Sequence, residues 1–225
     1  MNNEETHRPF HEALLSDEAL FWSRFERSFS TSFGQRVIEE ISNIVVVSNG
    51  ATDSSKQKIT QIEIDAVYDN AIVSHITSLR ERRRMNWNDS ISSIRNLGQS
   101  GKTVSQRVIS DLWWKKDGIN HYISIKTVKP NIDQTAIAKE DLLRLSIYDP
   151  ECKAYFGLYY NPYGEERADY SHNPPMGIFD FLNDEVVLIG KDYWDTLGGT
   201  GTYEDVLDIA KEIGSETREI IGNLR

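Results

Sequence analysis

The sequence predicts an α/β fold, a mixed β-sheet flanked by helices and preceded by a long N-terminal helical segment. Three observations carry this. Apolar residues recur at helical spacing from Glu12 to about Ile44. Two strand-like stretches, Arg107 to Trp114 and His121 to Val128, then flank Lys116-Asp117-Gly118, a hairpin turn signal. A helical pattern from Asn131 to Tyr148 and an apolar strand from Ala154 to Tyr160 follow, an order that layers helices against a sheet.

In the first segment Leu14, Leu15, Phe21, Phe25, Phe29, Phe33, Val37 and Ile41 supply the apolar stripe. Ser16 followed by Asp17 and Glu18 suits a helix start, and Gly34 a break or kink. Asn49 to Ser55 reads as a loop, and a second helix is expected over Ile59 to Arg84. The polar stretch from Asn86 to Gly101 has no decisive pattern. Ala136, Ile137, Leu142, Leu143 and Leu145 give the helix after the hairpin its apolar side. Asn161-Pro162-Tyr163-Gly164 turns the chain out of the following strand. Val186–Ile189 suits a further strand, Gly198 to Gly201 a turn, and Tyr203 to Asn223 a final helix. The 225 residues are expected to form one domain, with residues 1–100 mainly helical and 101–225 holding the α/β core and the C-terminal helix.

With 39% hydrophobic and 27% charged residues, the composition excludes a disordered chain. The longest aliphatic runs, Ile44–Val47 and Val186–Ile189, have four residues, against the roughly 20 that span a bilayer. The polar, acidic start from Met1 to Phe10 does not read as a signal peptide. A single cysteine, Cys152, suits a reducing cytoplasm and reads as a structural thiol. Net charge is −10, which disfavours a nucleic-acid partner, but its distribution is uneven. Between Leu79 and Arg107 stand Arg80, Arg82, Arg83, Arg84, Arg95, Lys102 and Arg107 against only Glu81 and Asp89. That basic stretch describes either a phosphate-gripping segment or a solvated helix face.

The hairpin brings chemistry together. A two-residue turn at Asp117-Gly118 pairs Lys116 with Ile119 and so sets Asp111 opposite Ser124, with Cβ atoms roughly 5 Å apart. Lys126 stands two residues further along the same face. One carboxylate, one hydroxyl and one ammonium thus converge. They suit an ordinary surface face, and they equally suit phosphodiester hydrolysis. In that chemistry a divalent cation neutralises the phosphate and lowers the pKa of the attacking water. Magnesium prefers oxygen ligands, and a lysine can orient or deprotonate the water.

Asp111 followed by Ser124-Ile125-Lys126 resembles the D…(D/E)xK signature of the PD-(D/E)xK nucleases. Longer strings are more specific. They are Arg24 to Thr31, Ile125 to Asn131, Tyr160 to Gly164 and Tyr193 to Gly199, and in this order they are similar to the TdeIII-like Type II restriction endonucleases. The resemblance covers nearly the whole chain. It implies a restriction-endonuclease-like core, magnesium, and cleavage of double-stranded DNA within a short palindrome of the GGNCC kind. The chain departs from the signature twice. Ser110 replaces the proline, and Ser124 stands where the signature has an acidic ligand. A dead enzyme that still holds DNA is one consequence. The other, known from Ser-x-Lys enzymes of this fold, is a second carboxylate on the following helix, for which Glu140 is the candidate and Asp141 its neighbouring competitor. Glu26, on the first helical segment, is a possible further metal ligand.

DNA contacts are expected from Arg80, Arg82, Arg83, Arg84, Lys102, Lys129, Asn161 and Arg167, with His172 in the same loop as the last two. Gly98-Gln99-Ser100-Gly101-Lys102-Thr103 ends like a P-loop, but Asn96 fills the first glycine position and no apolar strand precedes it. A phosphate-contacting loop suits it better. The five histidines show no metal-ligand spacing. A palindromic site implies a homodimer with one active site per strand. Such an enzyme works beside a methyltransferase that protects the cell's own DNA.

Overall fold

The structure, a computed structural model, describes residues 16, 36–81, 85–173 and 177–222, with side chains to residue 214. The chain separates into two compact units, Met1–Ile38 and Glu39–Arg225. The expected helix from Glu12 falls largely outside the described residues, and only its end is seen, as α1 (Ile38–Ser48). β1 (Asp53–Asp65) leads directly into α2 (Ala66–Arg80), and α3 (Trp87–Arg95) follows. The hairpin is β2 (Thr103–Lys116) and β3 (Ile119–Lys126), then α4 (Ile132–Tyr148) and β4 (Lys153–Leu158). A single 3-10 turn at Arg167–Asp169 precedes β5 (Val187–Ile189), α5 (Lys191–Gly198) and α6 (Thr202–Gly222). Among the described residues no helix is long and apolar enough to cross a membrane.

The five strands lie in the order β1-β2-β3-β4-β5. β1, β2 and β3 are antiparallel, whereas β4 and β5 run parallel to β3. This is the expected α/β architecture, a mixed sheet with flanking helices. The hairpin register is also as expected, with Lys116 opposite Ile119. Its turn places Asp117 at φ 52° and Gly118 at φ 80°, the doubly left-handed geometry that suits the twist of a two-residue hairpin.

Two stretches differ from expectation. Ile59 to Asp65 is strand, not the start of a helix, so the first hundred residues carry a 13-residue edge strand. Ile59, Thr60, Ile62 and Ile64 are β-branched, and Ile62 and Ile64, two apart, are both buried. The helical period belongs only to Ile72, Ile76 and Leu79, and Asp65 caps that helix by accepting the Val67 N–H at 2.8 Å. The undecided stretch forms α3, because Trp87, Ile91 and Ile94 share one buried face and Asn86 caps it.

The sheet is covered on both faces. One face packs Ile62, Val108, Trp113, Tyr122 and Phe156 against Ile72 and Ile76 of α2 and Leu142, Leu143 and Leu145 of α4. Each fully buried aliphatic side chain of this kind contributes about 1.5–3 kcal/mol. On the other, Leu112 pairs with Ile123, and Tyr193 of α5 lies so close over Gly157 that a Cβ there would stand 2.7 Å from its ring. The Tyr193 hydroxyl is 2.7 Å from Ser42 Oγ, which ties α5 to α1. β3 therefore runs between helices on both sides, and its C-terminal end carries Ser124 and Lys126.

Candidate active site

Asp111 sits where β2 changes face. Val108 and Trp113 are five residues apart, yet both join the same core, so strict alternation breaks between them. On β1 the ladder runs from Lys56 opposite Leu112 to Lys58 opposite Ser110 and skips the pair between them, Gln57 and Asp111. Gln57 takes a left-handed backbone conformation at φ 50°. This local twist is the kind of bend that re-aims a side chain at an active site.

Three donors converge on one oxygen of Asp111. The Ile125 backbone N–H donates to Oδ2 at 2.7 Å, Lys126 Nζ at 3.1 Å and Ser124 Oγ at 3.3 Å. The Lys126 and Asp111 side chains are 24% and 19% exposed, open enough to meet a ligand and sheltered enough to escape full solvent screening. Ser124 is buried and acts as a donor to the carboxylate. The other oxygen, Oδ1, receives a long contact of 3.4 Å from Gln57 Nε2, a donor it shares with a second carboxylate. The same Gln57 nitrogen donates to Glu39 Oε1 at 2.9 Å. Burial raises the Glu39 carboxyl above its usual range, and the charge of Asp111 adds to that, while Lys126 opposes it. Sequence reasoning missed Glu39. It lies on α1, 72 residues before Asp111 and with no motif around it, and its link to Asp111 runs through Gln57 of β1.

The helix expected to supply another carboxylate holds both candidates, Glu140 and Asp141, in different surroundings. Glu140 Oε1 pairs with Arg144 Nη1 at 2.7 Å, and Arg144 Nε reaches Asp69 of α2 at 2.8 Å. Asp69 is held in turn by Gln106 Nε2 at 3.0 Å. Arg144 lies farther from Asp141, at 3.7 Å. Burial pushes the Asp141 carboxyl up to about 6, with Lys126 and Asp111 among the charges it feels. Asp141 is thus in electrostatic reach of the Asp111–Lys126 pair, while Glu140 is engaged by Arg144.

The other expected contacts divide. Glu26, Arg82, Arg83 and Arg84 lie outside the described residues. Arg80 pairs with Asp133 at 2.7 Å on the surface. Lys102 is exposed, and Lys129 Nζ stands 5.2 Å over the Tyr163 ring. Asn161 and Arg167 work inside the protein. Asn161 Nδ2 donates to the Glu166 carbonyl at 2.6 Å and its Oδ1 accepts from the Tyr163 N–H. Arg167 donates to the carbonyls of Phe181 and Asp184 and lies 3.5 Å from Asp192, which pins its loop. His172 is 3.0 Å from the Pro130 carbonyl. The P-loop-like stretch is already filled, because the Ser100 and Gly101 N–H groups both donate to Asp65 at 2.8 Å. A carboxylate occupies the place a phosphate would take. Cys152 is half-buried, its thiol pushed up to about 12 by burial, as suits an inert structural thiol.

The sequence matches the family "Type II restriction endonuclease, HinfI" over residues 1–214. The chain belongs to this family. It is similar to the Type II restriction enzyme HgiCII of Herpetosiphon aurantiacus, 27% identical over 225 residues, which span 96% of this chain and 81% of that one. It is also similar to HgiEI of the same organism, 28% identical over 219 residues, or 92% of this chain and 77% of the relative. No solved structure matches. The protein is therefore a restriction endonuclease that cuts DNA at specific sites. The narrower TdeIII-like likeness stays a resemblance.

Restriction endonucleases of this type generally use a divalent metal ion. Among the described residues, no three or more His, Cys, Asp or Glu side chains are gathered closely enough to hold one alone. Magnesium does not require that. It takes one or two carboxylates and completes its shell with water and phosphate oxygens. Asp111 Oδ1 and Glu39 Oε1, bridged by one amide nitrogen, fit such a site.

Proposed function

We propose that this restriction endonuclease hydrolyses DNA in a magnesium-dependent reaction centred on Asp111 and Lys126. The arrangement at Asp111 carries this reading. One carboxylate oxygen is saturated by three donors while the other shares the Gln57 amide with Glu39. Magnesium, when bound, supplies charge neutralisation at the scissile phosphate and a water of lowered pKa. Asp111 and Glu39 hold the cation. Asp141, rather than the Glu140 that the motif suggests, is the acidic side chain contributed by α4. Lys126 orients the attacking water and offsets negative charge as the phosphorane-like state forms. Ser124 keeps Asp111 aligned and is not a metal ligand. Its replacement of an acidic residue is therefore compatible with an active enzyme.

The site read is a short palindrome, with the GGNCC kind favoured by the strings resembling TdeIII-like enzymes. A homodimer presents one such centre to each strand. Arg80, Lys102 and Lys129 are the described cations placed to meet phosphates. Arg82, Arg83 and Arg84 continue the basic run in the sequence. The enzyme works in the cytoplasm beside a methyltransferase that protects the host's sites.

Digestion of unmethylated phage DNA, with and without magnesium, tests this reading. Discrete bands that require magnesium are expected, and their ends give the recognition sequence. DNA that stays intact with several divalent metals, although the folded protein binds it, would favour an inactive DNA-binding relative instead.

A further inference from the structure

Among the described residues, Gln57 is the side chain that hydrogen-bonds to both the Glu39 and the Asp111 carboxylates. Its Nε2 donates to Glu39 Oε1 at 2.9 Å and reaches Asp111 Oδ1 at 3.4 Å. Its backbone is the only described non-glycine position with a left-handed φ outside the hairpin turn, and it lies at the rung the β1–β2 ladder omits. A left-handed glutamine is unfavourable in an extended strand, and such strain concentrates where a site requires it. Lys56, immediately before it, pairs with Glu40 and holds the strand against α1 from the other side.

The chemistry of the bridge is specific. Two carboxylates beside each other repel when no cation lies between them. A neutral amide donor offsets that repulsion without adding a charge that a cation would have to displace. Lysine or arginine at this place would compete with the metal, whereas a carboxylate would add to the repulsion. Asp111 is anchored on its far oxygen by Ile125, Lys126 and Ser124, so it needs no second anchor. Among the described residues, Gln57 is the donor that links the Glu39 carboxylate to Asp111.

We propose that Gln57 is a positioning residue of the cleavage site, holding Glu39 against Asp111 so that the pair is preformed for a divalent cation. This rests on the reading of Asp111 and Glu39 as the cation site. Gln57 itself touches neither substrate nor water in the reaction. It acts through Glu39, by keeping its carboxylate close before the cation arrives.

The test is titration of the full-length protein with Mn2+ alone, without DNA, by calorimetry. It is run on wild type, Gln57→Ala, Gln57→Gly, Glu39→Gln and Asp111→Asn, each checked for folding by its thermal transition. Gln57→Ala is expected to weaken Mn2+ binding about five-fold or more. It should raise the magnesium needed for half-maximal single-turnover cleavage by a similar factor, with the rate at saturating magnesium within about three-fold of wild type. Gln57→Gly relieves the backbone while removing the amide, so it should bind Mn2+ as weakly as the alanine variant even if its Tm is higher. A merely structural role would lower Tm and leave the Mn2+ midpoint unmoved. Wild-type Mn2+ affinity in both Gln57 variants, with binding lost in Glu39→Gln or Asp111→Asn, would overturn the positioning role and keep the cation site. Unchanged binding in Glu39→Gln and Asp111→Asn would overturn the site itself, and the role of Gln57 with it.

Discussion

Glu140 and Arg144 stand one turn apart on α4 and are joined at 2.7 Å, and Arg144 in turn reaches Asp69, so Glu140 belongs to an ion-pair network that ties α4 to α2. Arg144 is only 12% exposed and is held from the other side by Asp69, so the pair is fixed by tertiary structure as well as by helical spacing. Consecutive helical residues point about 100° apart, and Asp141, whose carboxyl is pushed up to about 6 by burial, feels the charges of Lys126 and Asp111.

Glu140→Gln and Asp141→Asn should therefore separate. Asp141→Asn is expected to lower single-turnover cleavage by roughly 100-fold or more, the scale lost when a positioned group at the reacting centre is removed. Glu140→Gln should cut within about ten-fold of wild type, with a lower Tm because Arg144 loses a partner. Kinetics on a single-site duplex would show it. The opposite ranking would return the second carboxylate to Glu140.

Lys126→Met should abolish cleavage and spare DNA binding. Its ammonium lies 3.1 Å from Asp111 Oδ2, and its removal also lifts one donor from that carboxylate. A rate loss on the order of 100- to 10,000-fold is the range for a general acid–base group. Gel-shift measurements should give an affinity within a few-fold of wild type.

Ser124→Ala should be mild. Ser124 gives Asp111 Oδ2 the longest of its three donor contacts, at 3.3 Å, while the Ile125 amide and Lys126 remain. Cleavage is expected to persist within about ten-fold, since one neutral hydrogen bond is worth about 1 kcal/mol net. Loss of all activity would mean that the hydroxyl takes part in the chemistry.

The half-buried His75 makes stability depend on pH. Burial lowers its imidazole to about 4, with nearby Lys139 adding to the effect, and its Nε2 lies 2.9 Å from Ser90 Oγ. The folded pKa is thus below the unfolded one, so the unfolded chain binds the proton first as pH falls. The stability is complete above the ordinary histidine value near 6.5 and is lost as pH drops toward about 4. Thermal melts from pH 7.5 to 5 should show Tm falling, and His75→Gln should flatten that fall. Parallel slopes for the two proteins would contradict the assignment.

Much of the site was legible in the hairpin because its turn fixes its register. Asp117-Gly118 dictates the pairing of Lys116 with Ile119, and from there Asp111, Ser124 and Lys126 follow on one face. β1 was hidden because it is an edge strand, mostly exposed, with only Ile62 and Ile64 marking a buried face. Losing β1 also hid Gln57, which β1–β2 pairing sets beside Asp111, and with it the contact from Gln57 to Glu39 on α1. The choice between Glu140 and Asp141 was not legible either. Both lie on the same helix turn, and the choice depends on Asp69 of another helix holding Arg144. Asn161 and Arg167 read as solvent-facing loop residues because backbone carbonyls, which take their donors, leave no mark in a sequence.

Cleavage of a single-site duplex by the wild type and by Asp111→Asn, each with magnesium and with EDTA, tests the central claim most directly. The account predicts defined fragments only for the wild type with magnesium, while Asp111→Asn binds the duplex and leaves it whole. Site-specific cutting by Asp111→Asn at a rate near wild type would contradict it and move the catalytic centre away from β2 and β3.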